Sequence, residues 1–396
     1  MQEDPIVIVG AARTPMGGFQ GSLTPLSAPE LGGYAIQAAV ERAGVPPEDI
    51  QDLIMGLCLF AGVKQAPARQ AAHLAGIPWD AGATTISKMC GSAMKATMLA
   101  HDNILAGSHD IMVAGGMESM TNAPYILPKA RGGYRLGNGD TVRDHMFMDG
   151  LEDAYDEGRL MGTFAEDTAE HYQFTREAQD NYAIESLTRA KKAVEDGSFD
   201  DEVVPVTVKT RKGETMVTSD EQPFNANIEK IPQLKPAFRK DGTVTPANSS
   251  SISDGAAALV LMKRSEAEKR GLTPKALIHA HSTHSQEPNW FTTAPIGAVK
   301  KVLEKTGWSK EEVDLFEVNE AFAVVAMAAM RDLDIPHDKI NVHGGACALG
   351  HPVGASGARI IVTLMSALEK YNLNKGVASL CIGGGEATAV SIERLN

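Results

Sequence analysis

The chain has 396 residues, 43% hydrophobic and 22% charged, with 37 basic against 50 acidic side chains and a formal net charge of −13. That length allows roughly two or three domains around a large core, and the acidic balance argues against nucleic acid or an anionic membrane as partner. Four cysteines, Cys58, Cys90, Cys347 and Cys381, lie far apart with no CxxC pair, which fits a reducing compartment and neither a disulfide framework nor a structural zinc site. The acidic start MQEDPIVIVG enters a strand-like run at once, and the end SIERLN carries no peroxisomal address. No apolar run approaches the roughly 18 residues of a membrane span, so a cytoplasmic protein is expected.

In chain order, PIVIVGAART, DLIMGLCLF and HDIMVAGGMES read as strands, alternating with helical PELGGYAIQAAVERAG and ARQAAHLAG and with ISKMCGSAMKATMLAHDNIL. This is the alternation of an α/β layer with a mostly parallel sheet. In the last of these helical stretches Met94, Thr97, Met98 and Leu105 recur at helical spacing, and Ser87 is a candidate cap for the first turn. Cys90 then falls at a helix start, where the dipole and free N–H groups lower a thiol's pKa, with only Gly91 and Ser92 beside it. The alternative is a buried, inert cysteine.

Residues 122 to 252 are rich in Gly, Pro, Asn, Asp and charge, with one clear helix from about Arg176 to Glu195, and read as a loop-rich insertion. Within it, ARGGYRLGNGD is hairpin-like and suits an oligomer contact or an idle loop. VKTRKGET and LKPAFRKDG are candidate basic patches for an anionic small molecule, or solvated surface.

A similar order of elements returns near the end: ALIHAHST, APIGAVKKVLEKTG, VDLFEVNEAFAVVAMAAM, GGACALGHPVGASGARIIVTLMSALEK and VASLCIGGGEATAVSI. Two halves sharing one topology are expected. DIMVAGGMES and SLCIGGGEAT both read as a strand entering a Gly-Gly turn followed by glutamate, which supports duplication unless it is short-range convergence.

Three further residues stand out. His351 lies among dense glycines ahead of a helix, where positive potential keeps an imidazole neutral and basic. Cys381 ends an apolar strand at three glycines, whose N–H groups form the kind of nest that holds an oxyanion. Asn319 ends a strand, and its solitary role would be to cap the next helix. One nucleophile with two acid–base groups fits acyl transfer followed by proton abstraction next to a carbonyl. A protease has no use for the second thiol, and a thiol redox pair would be CxxC.

The joint pattern CGS, NEAFA, GHPVGASGAR and CIGGG resembles the thiolase family, in the same order over essentially the whole chain. The resemblance implies acyl exchange between coenzyme A thioesters: thiolysis of a 3-oxoacyl-CoA, or the reverse Claisen condensation of acetyl-CoA. It implies that Cys90 is the acylated nucleophile, His351 its base, and Cys381 the group that moves the α-proton. Asn319, through a water, and His351 would bind the thioester oxygen of the enolate, and the N–H groups of Cys90 and Gly383 would form a second oxyanion hole. Ser250, Phe238, Met161, Leu151, Ala321 and Phe322 match positions lining the pantetheine arm.

The implied fold is α/β, a five-layered α-β-α-β-α arrangement of two duplicated βαβαβαββ core domains with an inserted loop domain. The expected boundaries are 1–121 plus 253–273, 122–252 for the loop domain covering coenzyme A, and 274–396. A homotetramer, or a dimer, is implied. No cofactor and no metal are expected, since coenzyme A is a substrate.

Departures from the family pattern bear on substrate choice. Leu160 stands where short-chain biosynthetic members often carry histidine, and Phe291 occupies a position assigned to the acyl-pocket wall, where others have methionine. Ser87 and Ala93 flank the nucleophile where asparagine and glycine are common. Phe224 falls near an adenine-stacking arginine of some members, and Glu386 replaces methionine or glutamine. Acetyl-CoA acetyltransferase activity is favoured, with a broad-chain 3-ketoacyl-CoA thiolase of fatty-acid breakdown as the alternative. A decarboxylating ketoacyl synthase would need two histidines where Asn319 and Cys381 stand. An acyl-CoA-binding protein without activity would be expected to lose a catalytic group.

Overall fold

Nine strands follow one another in hydrogen-bonded order across the molecule, in a computed structural model that describes residues 4–137, 141–211 and 213–395. Lys212 of VKTRKGET and residues 138–140 of ARGGYRLGNGD lie outside the described residues. The order is Leu315–Val318, Lys375–Ile382, Glu386–Arg394, Ala276–Ser285, Ile6–Arg13, Ser253–Lys263, Ile111–Ser119, Asp52–Gly56 and Gly82–Ile86.

The path has a narrow waist. Ile6–Arg13 pairs with Ser253–Lys263 along its length, but with Ala276–Ser285 only through Val7 opposite Leu277 and Ile8 opposite Ala276. On either side of that waist the same topology appears. Asp52–Gly56 runs parallel to Gly82–Ile86 and to Ile111–Ser119, which is followed by two antiparallel strands. Leu315–Val318 runs parallel to Lys375–Ile382, again followed by two antiparallel strands. A single parallel bridge from Phe316 to Ile340 fills the place of the fifth strand.

Helix patterning explains the layers. Ser92–Leu105 and Ser356–Lys370 are apolar on nearly every side, so they are stable only between two sheets. They pack on each other there, with Met94, Met98 and Ile104 joining Ile360, Ile361, Leu364 and Leu368 in one cluster. Ala28–Ala43 and Pro67–Leu74 cover the outer face of the first sheet, and Ala294–Thr306 and Ala323–Leu333 that of the second. These are the five expected layers. Each fully buried Leu or Ile of the central layer contributes roughly 1.5–3 kcal/mol, so the two helices that carry the site motifs are held rigidly.

The inserted segment is tied to the body by a buried ion cluster. Arg13, wholly buried, meets Glu202 at 2.5 Å and Asp220 at 2.7 Å, both from the inserted segment. Glu202 also accepts from Thr363 in the central helix at 3.1 Å. The strand-like start of VKTRKGET belongs to a hairpin, Val206–Thr210 with Gly213–Val217. Val206 and Val208 pack on the outer helix Ala28–Ala43 with the core of the first half.

The sheet is not mostly parallel as expected: three pairings along its path are parallel and five antiparallel, because each half ends in two antiparallel strands. Two motif readings are also corrected. The strand Ile111–Ser119 runs straight through Gly115 and Gly116, so GGMES is no turn, whereas Gly384 and Gly385 turn the chain at φ of 93° each. Gly115 and Gly116 answer to crowding: a Cβ would lie 2.1 Å from the Ala257 oxygen and 2.1 Å from the Gly354 oxygen respectively. The duplication is visible in the strand order, not in that motif. ARGGYRLGNGD is likewise not itself a strand pair. Its described residues form a loop between Tyr125–Ile126 and Arg143–Asp144, which pair as a two-residue ladder.

Candidate active site

Cys90 sits on a tight turn two residues before the helix Ser92–Leu105. Ser87 does not cap it. The N-cap is Gly91, and the turn is closed by Ser92, whose Oγ accepts from the Lys88 N–H at 2.8 Å and donates to the Met89 carbonyl at 2.6 Å. Met89 adopts φ +48°, a conformation costing a non-glycine residue about 1–3 kcal/mol, and so turns the next side chain outward from the helix axis. A Cβ on Gly91 would meet Ile382 Cδ1 at 2.3 Å, so a larger residue there would displace Ile382. That close approach brings the Cys90 turn against the CIGGG turn.

The backbone N–H groups of Gly383 and of Cys90 itself favour the charged form of the Cys90 sulfur. Burial nevertheless pushes the thiol up to about 11, with the two N–H bonds opposing and the Glu118 carboxylate adding to the rise. The expectation of a thiolate stabilised by the helix start is therefore overturned. Desolvation of a charged sulfur outweighs the dipole and two hydrogen bonds.

His351 is held from three sides. Its N–H reaches the Ser251 carbonyl and Ser253 Oγ, both at 3.2 Å, and its Nδ1 lies 2.5 Å from Ser356 Oγ. Ser356 spends its only proton on the Pro352 carbonyl at 3.0 Å, so its oxygen accepts from His351 Nδ1–H. The lone pair is thereby placed on Nε2, which is buried with no partner. Burial, with the Arg359 guanidinium adding, pushes the imidazole down to about 3. His351 is neutral as expected, but the cause is desolvation. The helix that was to supply the field begins only at Ser356.

Asn319 follows Leu315–Val318, donating its N–H to the Ser379 carbonyl at 3.0 Å. It caps nothing, since Phe322 is the N-cap of Ala323–Leu333. Its side chain is 1% exposed and both its Nδ2 and Oδ1 lack partners. The adjacent Glu320 is the contrast, accepting from Tyr182, Ser186, Asn341 and the Cys347 N–H. Cys381 is fully buried one residue before the end of its strand. Burial pushes its thiol well up, and the nearby Cys90 sulfur adds to the rise.

The remaining predicted positions surround these groups. Met161 opens the helix Met161–Tyr172, and its Sδ would lie 3.6 Å from a Cβ on Gly383. Phe238 packs over Gly162, where a Cβ would touch its ring at 2.3 Å, and stands edge-on to Phe322 at 6.0 Å. Ser250 donates its N–H to the Ala321 carbonyl at 2.9 Å. Leu151 joins the apolar cluster that also touches Met89 and Cys90. Phe291 is buried edge-on to Phe164, in the same cluster as Cys381, and Leu160 is the N-cap residue of the Met161 helix.

Of the two basic stretches, LKPAFRKDG reaches this region through Phe238, with Arg239 bound to the Asp167 carboxylate. In VKTRKGET, Lys209 is spent on Glu214 at 3.0 Å. The surface cleft nearest Ser250, about 340 Å³, is lined by Gln222, Asn225, Lys230, Ser251 and Cys347.

Three supporting residues were given no role by sequence reasoning, although Glu386 was noted as a departure from the family pattern. Glu118 accepts from the N–H groups of Cys58, Leu59 and Gly354 at 2.9, 3.1 and 2.8 Å, joining two loops beside Cys90. Burial pushes its carboxyl up to about 7. Ser356 fixes the His351 tautomer. Glu386 pairs with Lys88, two residues before the nucleophile, and accepts from Ser285 at 3.0 Å. A glutamate after a glycine run was the available signal for Glu118 and Glu386; Ser356 had none.

Comparison with known proteins identifies the family. Sequence models of the "Thiolase, N-terminal domain" and "Thiolase, C-terminal domain" match residues 6–265 and 272–394. An acetyl-CoA acetyltransferase of Cupriavidus necator is 47% identical over 98% of this chain and 99% of its own. A cytosolic acetyl-CoA acetyltransferase of Mus musculus is 48% identical over 99% of this chain and 98% of its own. The crystal structure of a thiolase from Ascaris suum in complex with coenzyme A superposes with a TM-score of 0.93 at 42% identity, covering 99% of this chain and 100% of that one. With both halves matched, a shared five-layer fold and relatives of equal length, the chain belongs to the thiolase family.

Proposed function

We propose that this thiolase exchanges acyl groups between coenzyme A thioesters, with acetyl-CoA acetyltransferase as its principal activity, through an acyl-Cys90 intermediate. One observation carries the reading. His351 Nε2 and both ends of the Asn319 amide stand buried without partners, and the backbone N–H groups of Gly383 and Cys90 favour charge at the Cys90 sulfur. Buried polar groups are normally paired, so these are groups kept for a ligand.

In the cleavage direction, His351 Nε2 accepts the Cys90 proton as the sulfur attacks the 3-oxo carbon, and the resulting oxyanion is met by N–H donors of Cys90 and Gly383. The bond between C2 and C3 breaks, and the electron pair passes to an enolate whose oxygen is bound by Asn319, through a water, and by His351. Cys381 donates the proton to C2, and acetyl-CoA leaves. A coenzyme A thiol then gives its proton to the Cys381 thiolate and its sulfur to the acyl group, and His351 returns its proton to the departing Cys90 sulfur. A neutral Cys90 thiol and a neutral His351 imidazole support this order, because the proton moves only when the attack occurs.

Met161, Leu151, Phe238, Ser250, Ala321 and Phe322 would line the pantetheine arm; that the Ascaris thiolase was solved in complex with coenzyme A supports coenzyme A as the ligand. Leu160 and Phe291 would bound the acyl group. No cofactor or metal enters this chemistry. Among the described residues no helix is long and apolar enough to cross a membrane, and a cytoplasmic location is supported by the cytosolic mouse relative. A homotetramer or dimer is part of the reading, with the exposed Tyr134 and Leu136 of the ARGGYRLGNGD loop available for contact.

The test is coenzyme A-dependent cleavage of 3-oxoacyl-CoAs of increasing chain length, with Cys90→Ala as control. Activity confined to acetoacetyl-CoA supports the acetyltransferase reading. Comparable or rising rates with longer chains assign the broad-chain alternative, and activity surviving Cys90→Ala refutes the mechanism.

A further inference from the structure

Away from the acyl site, the described residues contain one group of histidine and carboxylate side chains at metal-ligand spacing. It comprises His101, Asp102 and His281, whose ligand atoms all lie within 4.8 Å of one another. His101 and Asp102 belong to the end of the helix Ser92–Leu105, and His281 to the strand Ala276–Ser285. The group therefore joins the central helix of the first half to the sheet of the second. Cysteine spacing gave no hint of it, because its members are up to 180 residues apart in the chain, with 179 between Asp102 and His281 alone.

Both imidazoles address one oxygen. His101 Nδ1 lies 3.0 Å and His281 Nε2 2.8 Å from Asp102 Oδ1. The rings stand edge to face at 88°, with centroids 5.1 Å apart, so the nitrogens converge while the ring planes do not stack. His101 is 4% exposed and its second nitrogen has no partner, which leaves the Asp102 side as this ring's only polar engagement. Asp102 is half exposed and gives an ion an entry path. The C-terminal end of the helix carries negative potential, which favours a cation.

We propose that His101, Asp102 and His281 form a site for a divalent transition cation of the zinc class, bound by two imidazole nitrogens and one carboxylate oxygen with water completing the coordination. Imidazole donors select zinc-like ions over magnesium or calcium. Ligands about 2.0–2.1 Å from a tetrahedral ion lie about 3.3 Å apart, so the two short contacts need to open only slightly. The site is roughly 16 Å along the helix from Cys90. Its role is to staple the two halves, apart from the chemistry.

The test uses the full-length protein in a Cys90→Ser background, which removes the acyl-site thiol as a competing zinc ligand, after chelator treatment. Titration with Zn²⁺ is expected to show one saturable equivalent per chain and a raised melting temperature. His281→Gln and Asp102→Asn should each weaken binding by more than about tenfold, since loss of even an outer partner typically costs about 10–100-fold. Co²⁺ offers a readout that needs no ligand variant: intense visible bands of a low-symmetry nitrogen and oxygen site are expected. Equal stoichiometry and affinity in the parent and both variants would overturn the proposal, as would a Co²⁺ spectrum unchanged from that of the aqueous ion.

Discussion

His351 Nδ1 lies 2.5 Å from Ser356 Oγ, and the same hydroxyl is committed to the Pro352 carbonyl at 3.0 Å. The serine thereby decides which imidazole nitrogen is the base. Ser356→Ala removes that choice without touching substrate. A positioned general base contributes about 10²–10⁴-fold, so kcat is expected to fall by about tenfold to 100-fold with KM little changed. Steady-state kinetics of Ser356→Ala against Ser356→Thr, which restores the hydroxyl, checks this.

Cys90 is partly exposed but is expected to behave as a desolvated thiol. Its pKa is raised to about 11 by burial, so in the resting enzyme the thiolate fraction falls tenfold for each pH unit below that value. Alkylation by iodoacetamide should therefore keep rising through pH 9 to 10, where an ordinary cysteine has levelled off. A plateau near neutral pH would mean that a thiolate–imidazolium pair exists before substrate binds.

Asn319 presents a buried amide with neither end paired, a situation costing about 1–3 kcal/mol. Asn319→Ala removes that cost along with the side chain. The melting temperature is expected to hold or rise while kcat falls by about 10²–10³-fold, as for loss of one oxyanion donor. A large drop in melting temperature would assign the amide to structure instead.

How much of this was legible depended on range. Strands buried on both faces, such as Ile6–Arg13, and helices such as Arg176–Glu195 announce themselves through local apolar periodicity. The chemical residues were visible because glycine runs expose them. What the sequence concealed is set by distant partners or by desolvation. Burial, which no local pattern reports, reversed the expected direction of the Cys90 shift. Asn319 and Ser87 look like caps, yet Phe322 and Gly91 occupy those positions because the turns before both helices are shaped by the opposite loop. Glu386 acquires meaning only through Lys88, 298 residues away.

Arg13 anchors the inserted segment through Glu202 and Asp220, with all three side chains essentially inaccessible. Arg13→Leu leaves two buried carboxylates without a cation. Removing one member of such a set typically costs about 3–5 kcal/mol. Chemical denaturation should show a loss of that size, and limited proteolysis should cut first within residues 200–240. The double variant Arg13→Met with Glu202→Gln is expected to recover part of the loss.

The Lys88–Glu386 pair links the residue two before Cys90 to the strand that follows the CIGGG turn. Both side chains are partly solvated, at 21% and 32% exposure, so the pair contributes only about 0–1 kcal/mol to stability. Its effect lies in registry. The Cys90 turn and the Gly383 N–H must stay aligned, and a misplacement of about 1 Å can cost about 100-fold in rate. Glu386→Gln and Lys88→Met are each expected to lower kcat by about tenfold or more with unfolding free energy nearly unchanged. If the pair acts through its charge, the exchange Lys88→Glu with Glu386→Lys should recover activity that either single change abolishes. Failure of the exchange, with both single variants active, would reduce the pair to surface decoration.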